Sequence, residues 1–371
     1  MSLFWRQIKR ACFDHRWLAL AWCFYALLVT TQCVIVGVSL AEYQRASRLM
    51  MFDSLFAFAF AFLMMQLFFL YLYVGALFKT PWPGKKKVLA YFLAAAKLFD
   101  KKCDHYFTGR LFAEGLVGFL ILQAQDFVGS QKSLIPYINA FHWDPIFSRW
   151  DKALHFGHHP FQLILPFVES LGAWAPPCMA FLYLGTWFFA MIGTCFYCMF
   201  LDTSPYRHMR FMWTYMILWL VLGSICAVLF SSVGPVFFHD FYPQQPDIYK
   251  PLTEHLSTIF AGRFDSGYLQ ELKILLNWVR NSFVLDLNSI SAMPSMHVAV
   301  AWLLFLYWSS VHRWMGVLAG LFFLVIALGS VYFGFHYAID GYFAIVIVSL
   351  IWWGVGKLVR RSGFTARNLA G

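Results

Sequence analysis

About eight apolar runs, each near the length that crosses a lipid bilayer, limit what this chain can become. They lie near Trp17–Leu40, Ser54–Phe78, Leu111–Val128, Ala173–Phe200, Phe211–Val233, Pro294–Ser310, Trp314–Phe335 and Tyr342–Val359. A helix rises about 1.5 Å per residue, so about 20 apolar residues cover the hydrocarbon core. Of the 371 residues, 61% are hydrophobic and 12% charged, against about 25% charged in soluble domains. The expected fold is all-α: a polytopic membrane protein of about eight transmembrane helices, about six of which build a catalytic core. The first run follows Arg6, Lys9, Arg10 and Arg16 and is too long for a cleaved signal segment, so it is expected to remain as an anchor.

The net charge is +10, and its distribution sets the topology. Basic residues precede the first run and fill the stretch from Lys79 to Arg110. They recur at Arg207 with Arg210, at Arg313, and at Lys357 with Arg360, Arg361 and Arg367. With eight spans all these places fall on one side, and the positive-inside rule makes that side cytoplasmic, both termini included. The basic segments then read as topology signals in contact with anionic head groups, not as a nucleic-acid surface. Residues 1–110 read as a two-helix extension with a basic cytoplasmic segment, in which Val88–Phe99 forms an interfacial amphipathic helix. Residues 111–371 read as the membrane-embedded core.

Two external loops stand out, about Gly129–Pro160 and about Gly234–Ser291. Leu272, Leu275, Leu276 and Val279 share one face of a second interfacial helix expected at Leu269–Val284. No cysteine of the eight falls in either loop, so no disulfide framework is expected, and Cys195 and Cys198 read as packing thiols inside an apolar helix. His155, His158 and His159 lack a recognised metal-ligand spacing, so no metal is expected. Glu114, Asp126 and Glu169 lie in or near spans and read as structural.

The chemistry concentrates in Pro294-Ser295-Met296-His297 and His336-Tyr337-Ala338-Ile339-Asp340. Each sits at the external end of an apolar run, so topology alone brings His297, His336 and Asp340 to one membrane face. His336 and Asp340 stand four apart, on one face of a helix. An aspartate so placed orients a histidine and fixes its tautomer. A histidine so held can attack phosphorus, while a second, His297, exchanges the proton with the leaving and accepting oxygens.

These motifs resemble those of the type 2 phosphatidic acid phosphatase superfamily. Pro294–His297 looks like its Pro-Ser-Gly-His motif with Met296 for glycine, and Gly329-Ser330 through His336 to Asp340 looks like its third motif without the Ser-Arg pair. The motif with a lysine and Arg-Pro is not recognisable. Ile290–His297, Trp150–Gly157 with His159-Pro160, and Ser232–Pro235 resemble the inositol phosphorylceramide synthase-like branch, over roughly 136–358. The resemblance implies His336 as nucleophile, Asp340 as its partner, His297 as acid/base, no metal cofactor, and transfer of a head-group phosphate between lipids on the non-cytosolic leaflet.

A phosphoryl transition state also needs positive charge or aligned donors around its equatorial oxygens. The candidates are Lys152, the preferred side chain, with Arg149, His155, His158, His159, Ser295 and the first N–H groups of the helix that begins near His297. The function expected is a membrane phosphotransferase, periplasmic in a bacterial inner membrane, with a lipid donor and a lipid or glycan acceptor. Its rivals are a lipid-phosphate or polyprenyl-diphosphate phosphatase, and a lipid flippase whose histidines only bind phosphate.

Overall fold

The computed structural model describes residues 16–37, 134–260 and 291–362, with isolated positions elsewhere, among them Val128, Gln131 and Lys132. Apart from such positions, the runs at Ser54–Phe78 and Leu111–Val128, the segments Val88–Phe99 and Leu269–Val284, and Glu114 and Asp126 lie outside the described residues. So does most of the proposed 1–110 extension.

Among the described residues the protein is all-α, with no strand. Five of the described helices are long and apolar enough to span a membrane: α1 (Arg16–Val36), α4 (Ala175–Met199), α5 (Pro205–Leu229), α8 (Arg313–Tyr332) and α9 (Ala338–Arg361). A shorter apolar helix, α7 (Met296–Val311), sits among them with most of its residues buried. The surface fits a lipid solvent. On α9, Tyr342, Val346, Leu350 and Trp353 point outward while Ala344, Val348, Trp352 and Val355 point inward. Such an outward apolar stripe is stable in hydrocarbon and would be an aggregation site in water. The chain is an integral membrane protein.

Burial of apolar surface does not hold helices together in lipid; close packing and interhelical hydrogen bonds do. Gly316 of α8 lies so near Ser309 of α7 that a Cβ would sit 2.8 Å from its Cα. Trp302 Nε1 donates to Ser349 Oγ at 2.8 Å, and Trp308 Nε1 to Thr194 Oγ1 at 3.0 Å. Cys195 and Cys198 are buried inside α4, where Cys198 contacts the His208 backbone.

Among the described residues, both stretches expected as external loops contain helix. The first contains α2 (Asp144–Leu154) and ends where α3 (Pro160–Ser170) starts, and the second contains α6 (Lys250–Phe260). Pro145 and Pro160 start the first two, where a missing N–H costs nothing. At 11 residues each they are too short to register as spans. The last span begins at Ala338, one turn before the expected Tyr342, which places Asp340 inside a helix.

Gly234 ties the second stretch to the end of α8. It has φ +90°, and a Cβ there would lie 2.5 Å from the Phe335 carbonyl oxygen. Gly157 has φ +89° with open space around it. Gly157→Ala therefore carries backbone strain alone, while Gly234→Ala adds a backbone clash. Gly234→Ala is expected to cost at least about 2 kcal/mol, read as a lower thermal midpoint in detergent, with Gly157→Ala the milder of the two.

Candidate active site

His336 lies in the tight connection between α8 and α9. Its Nδ1 is 2.6 Å from the Ala292 carbonyl oxygen. A carbonyl only accepts, so Nδ1 carries the proton and the lone pair is on Nε2. Asp340 Oδ2 lies 3.5 Å from the same Nδ1, and it accepts the Tyr337 N–H at 2.9 Å. The expectation that Asp340 fixes the tautomer is thus corrected: the Ala292 carbonyl does so. The reason is the helix start, since Asp340 is the third residue of α9 and closes its capping box. Asp340 keeps its place as the carboxyl group next to the ring. Burial, together with the Lys132 ammonium, pushes His336 down to about 3 against the carbonyl bond that pulls it up. The ring is neutral at physiological pH.

His297 opens α7. Ser295 caps that helix, with Oγ accepting the Val298 N–H at 3.4 Å. Ser295 is fully buried, and its hydroxyl keeps its own proton to donate. The His297 ring lies between Tyr183, stacked at 4.4 Å, and Trp187 at 4.4 Å, and Trp187 Nε1 donates to the His297 carbonyl at 3.0 Å. Tyr183 sits in a π-helical stretch of α4, Phe181–Thr186; such bulges recur at functional sites. The His297 and His336 rings are 6.3 Å apart.

Two buried carboxylates lock this arrangement. Asp144 accepts the Val233 and Gly234 N–H groups and the Tyr242 and Tyr337 hydroxyls, at 2.8 to 3.1 Å. It joins α2, the Gly234 turn and the α9 start at one point. Asp151 accepts the Ala338 and Ile339 N–H groups, both at 2.8 Å, and so caps α9 from another helix. Sequence reading missed both roles. The only signal was their position in a polar block before a His-Pro.

The expected phosphate ligands spread out. Lys152 and Arg149 are exposed, and Lys152 acts electrostatically on His159. His155 bonds the Asp151 carbonyl and the Tyr342 hydroxyl, His159 is buried against Phe161 and Tyr249, and His158 is exposed. Glu169 pairs with His255 at 3.2 Å. Among the described residues no group of three such side chains is placed to hold a metal ion. A cation the sequence reading passed over, Lys132, acts on both His297 and His336. Burial pushes Lys132 down to about 8, yet part of its surface stays accessible.

This site lies within a stretch that matches a known family. The model of the PAP2 superfamily matches residues 146–354, more than half of the chain. The chain belongs to the PAP2 superfamily. No protein of curated function and no solved structure matches it. Membership in the PAP2 superfamily brings phosphatase- or phosphotransferase-type chemistry on lipid phosphates. Of the groups described above, Lys132 and Asp144 lie before residue 146 and outside the match.

Burial, against its two N–H bonds, pushes Asp151 up to about 7, with Asp340 a nearby like charge. Between its ordinary range and about 7 the folded chain holds a proton that the unfolded chain has released, so this group's contribution to stability falls as pH rises through that window. Function has the opposite sign, because only the ionised carboxylate offers two full acceptors to the α9 start. The rate is expected to rise through about pH 7, and Asp151→Asn to flatten that limb while lowering kcat about tenfold. A pH–rate profile of both proteins checks this; an unchanged limb in the variant would assign it to another group.

Proposed function

We propose that the protein is a phosphotransferase that moves phosphoryl or a phosphorylated head group from a lipid donor to a hydroxyl on a lipid or glycan. The observation that carries the reading is the His336 ring, held with its Nδ1 proton on the Ala292 carbonyl and its Nε2 lone pair free. In the first half-reaction Nε2 attacks phosphorus, the bond to the leaving oxygen breaks, and His297, which takes up a proton beside the bound phosphate anion, gives that proton to the leaving oxygen. The imidazolium so formed on His336 keeps Asp340 Oδ2 3.5 Å from Nδ1 as its counter-charge. In the second half-reaction His297 takes the proton of the acceptor hydroxyl, the acceptor oxygen attacks phosphorus, and the P–N bond breaks.

The inositol phosphorylceramide synthase-like branch is the proposed placement within the superfamily. It is supported by what its motif-like blocks do here: Asp151 of the first caps α9, and Gly234 of the second packs on Phe335. The proposed setting is a bacterial inner membrane with the histidines on the periplasmic side and both termini inside. Its support is a basic end of the bundle: Arg210 lies over Trp352, Lys357 over Trp353, Arg360 over Tyr206, and Arg207 pairs with Asp202. By helical rise along α9, Trp352 stands about 20 Å from the histidines. Lys152 and Arg149 are proposed as rim contacts for the incoming head group.

Hydrolysis is the second reading, and Lys132 favours it, since an enclosed cation supplies the charge that the missing motif would have brought. The deciding experiment follows radiolabelled head-group phosphate from a panel of donor lipids in a bilayer. Label in a second lipid or glycan, absent in His336→Ala, supports transfer. Free phosphate supports hydrolysis. Equal lipid movement in both proteins without chemistry would make it a flippase.

A further inference from the structure

The histidines of this bundle end meet charge in different ways. Asp340 Oδ2 lies 3.5 Å from His336 Nδ1, and Glu169 lies 3.2 Å from His255. Among the described residues no carboxylate pairs with His297. Yet the proton transfers require this partly buried ring to be charged at the start of the first half-reaction and at the end of the second. Enclosure makes such a charge costly.

Two aromatic faces stand where a counter-ion would. The Tyr183 ring is stacked on His297 with 4.4 Å between centroids and 11° between planes. Trp187 lies at 4.4 Å and 37°. Both present a face more than an edge, and the face carries the negative part of the ring's quadrupole. A cation within about 6 Å of such a centroid is attracted, most strongly by Trp and where water is excluded. Only the charged form of His297 gains this attraction.

Both rings are buried and held in place by other contacts. Tyr183 stacks on Phe335 at 6.1 Å and 8°. Gly329 of α8 leaves room for it, since a Cβ there would lie 3.0 Å from Tyr183 Cδ2. Trp187 is pinned by the 3.0 Å bond from its Nε1 to the His297 carbonyl.

We propose that Tyr183 and Trp187 form an aromatic clamp that stabilises the imidazolium form of His297 by cation–π attraction, so that this ring carries a proton without a carboxylate beside it. As the acid, His297 gains population of its charged form. As the base, it gains as the proton arrives. Tyr183 and Trp187 are positioning residues, acting through His297. The inference rests on the phosphotransfer reading above.

The test uses the full chain in a bilayer. Tyr183→Phe keeps the ring face and is expected to stay within about threefold of wild-type turnover of lipid donors. Phenylalanines with one, two and three ring fluorines are then placed at position 183, which drains the face while barely changing its size. Turnover of lipid donors is expected to fall stepwise, by about 3–30-fold in all. With p-nitrophenyl phosphate, whose leaving group needs no proton, label uptake by His336 is expected to slow by about twofold or less. A flat series, or equal losses with both donors, overturns the clamp and leaves the two rings as packing. Should the fluorinated chains not fold, Trp187→Phe and Trp187→Leu decide instead. The first keeps a face without the Nε1 donor and is expected to retain more lipid-donor turnover; equal losses overturn the clamp. Wild-type protein that never labels His336 overturns the phosphotransfer reading itself, whereas label on His336 with a flat fluorine series overturns the clamp alone.

Discussion

His336→Ala is expected to lower turnover by about 10⁵-fold or more, the scale of losing a nucleophile that works as a unit with its partners. The geometry leaves no substitute close by: the neighbouring ring, His297, is held between Tyr183 and Trp187 with its centroid 6.3 Å away. The substitution also leaves the Ala292 carbonyl without its donor, which costs about 1–3 kcal/mol in a buried place. His336→Asn separates the two effects. Its amide can still donate toward the carbonyl, so the connection keeps its shape, but it offers no lone pair on nitrogen to attack phosphorus. Both variants are expected to be inactive, with His336→Asn the more stable. Brief incubation with labelled donor should leave acid-labile, alkali-stable label on the wild type and none on either variant. A labelled variant would place the nucleophile elsewhere.

His297→Ala is expected to lower turnover of lipid donors by about 10²–10⁴-fold, the range for a positioned acid/base. The size should depend on the leaving group. A lipid alkoxide cannot leave without a proton, whereas p-nitrophenolate can. With p-nitrophenyl phosphate the first half-reaction should run within about tenfold of the wild type, because no proton is needed there. The second half-reaction still needs a base, so label should accumulate on His336. His297→Gln, which fills more of the space between Tyr183 and Trp187, guards against reading a collapsed cavity as lost chemistry. Equal losses with both donors, and no accumulation, would remove His297 from the proton transfers.

The spans were legible because lipid imposes one rule on every residue that crosses it. Four long runs and the short Pro294–Ser310 run recur as α1, α4, α5, α7 and α8 within a few residues, and the last begins a turn early because Asp340 and Asp151 supply its N-terminal bonds. The motif histidines were legible for the same reason: hydropathy puts both at one end of the bundle, and no long loop separates either from its helix. The helices α2, α3 and α6 were not, since each is 11 residues long, too short to cross the hydrocarbon core and register as a span.

The sequence by itself determined an all-α membrane bundle, which ends meet, and that a pair of histidines faces a carboxylate there. Its hydrophobic length and its charge bias act residue by residue, so no contact need be known to read them. Tertiary structure alone decided what each polar group does. The Ala292 carbonyl, 44 residues from His336, fixes the ring's tautomer. Asp144 and Asp151 reach nearly 190 residues along the chain, to Tyr337 and Ala338, to build the turn. Ser295 caps the helix that carries His297, and Lys152 lies exposed beside the buried Asp151. A carboxylate or ammonium in a folded interior takes its role from the partners that replace its lost water, and those partners are chosen by the fold.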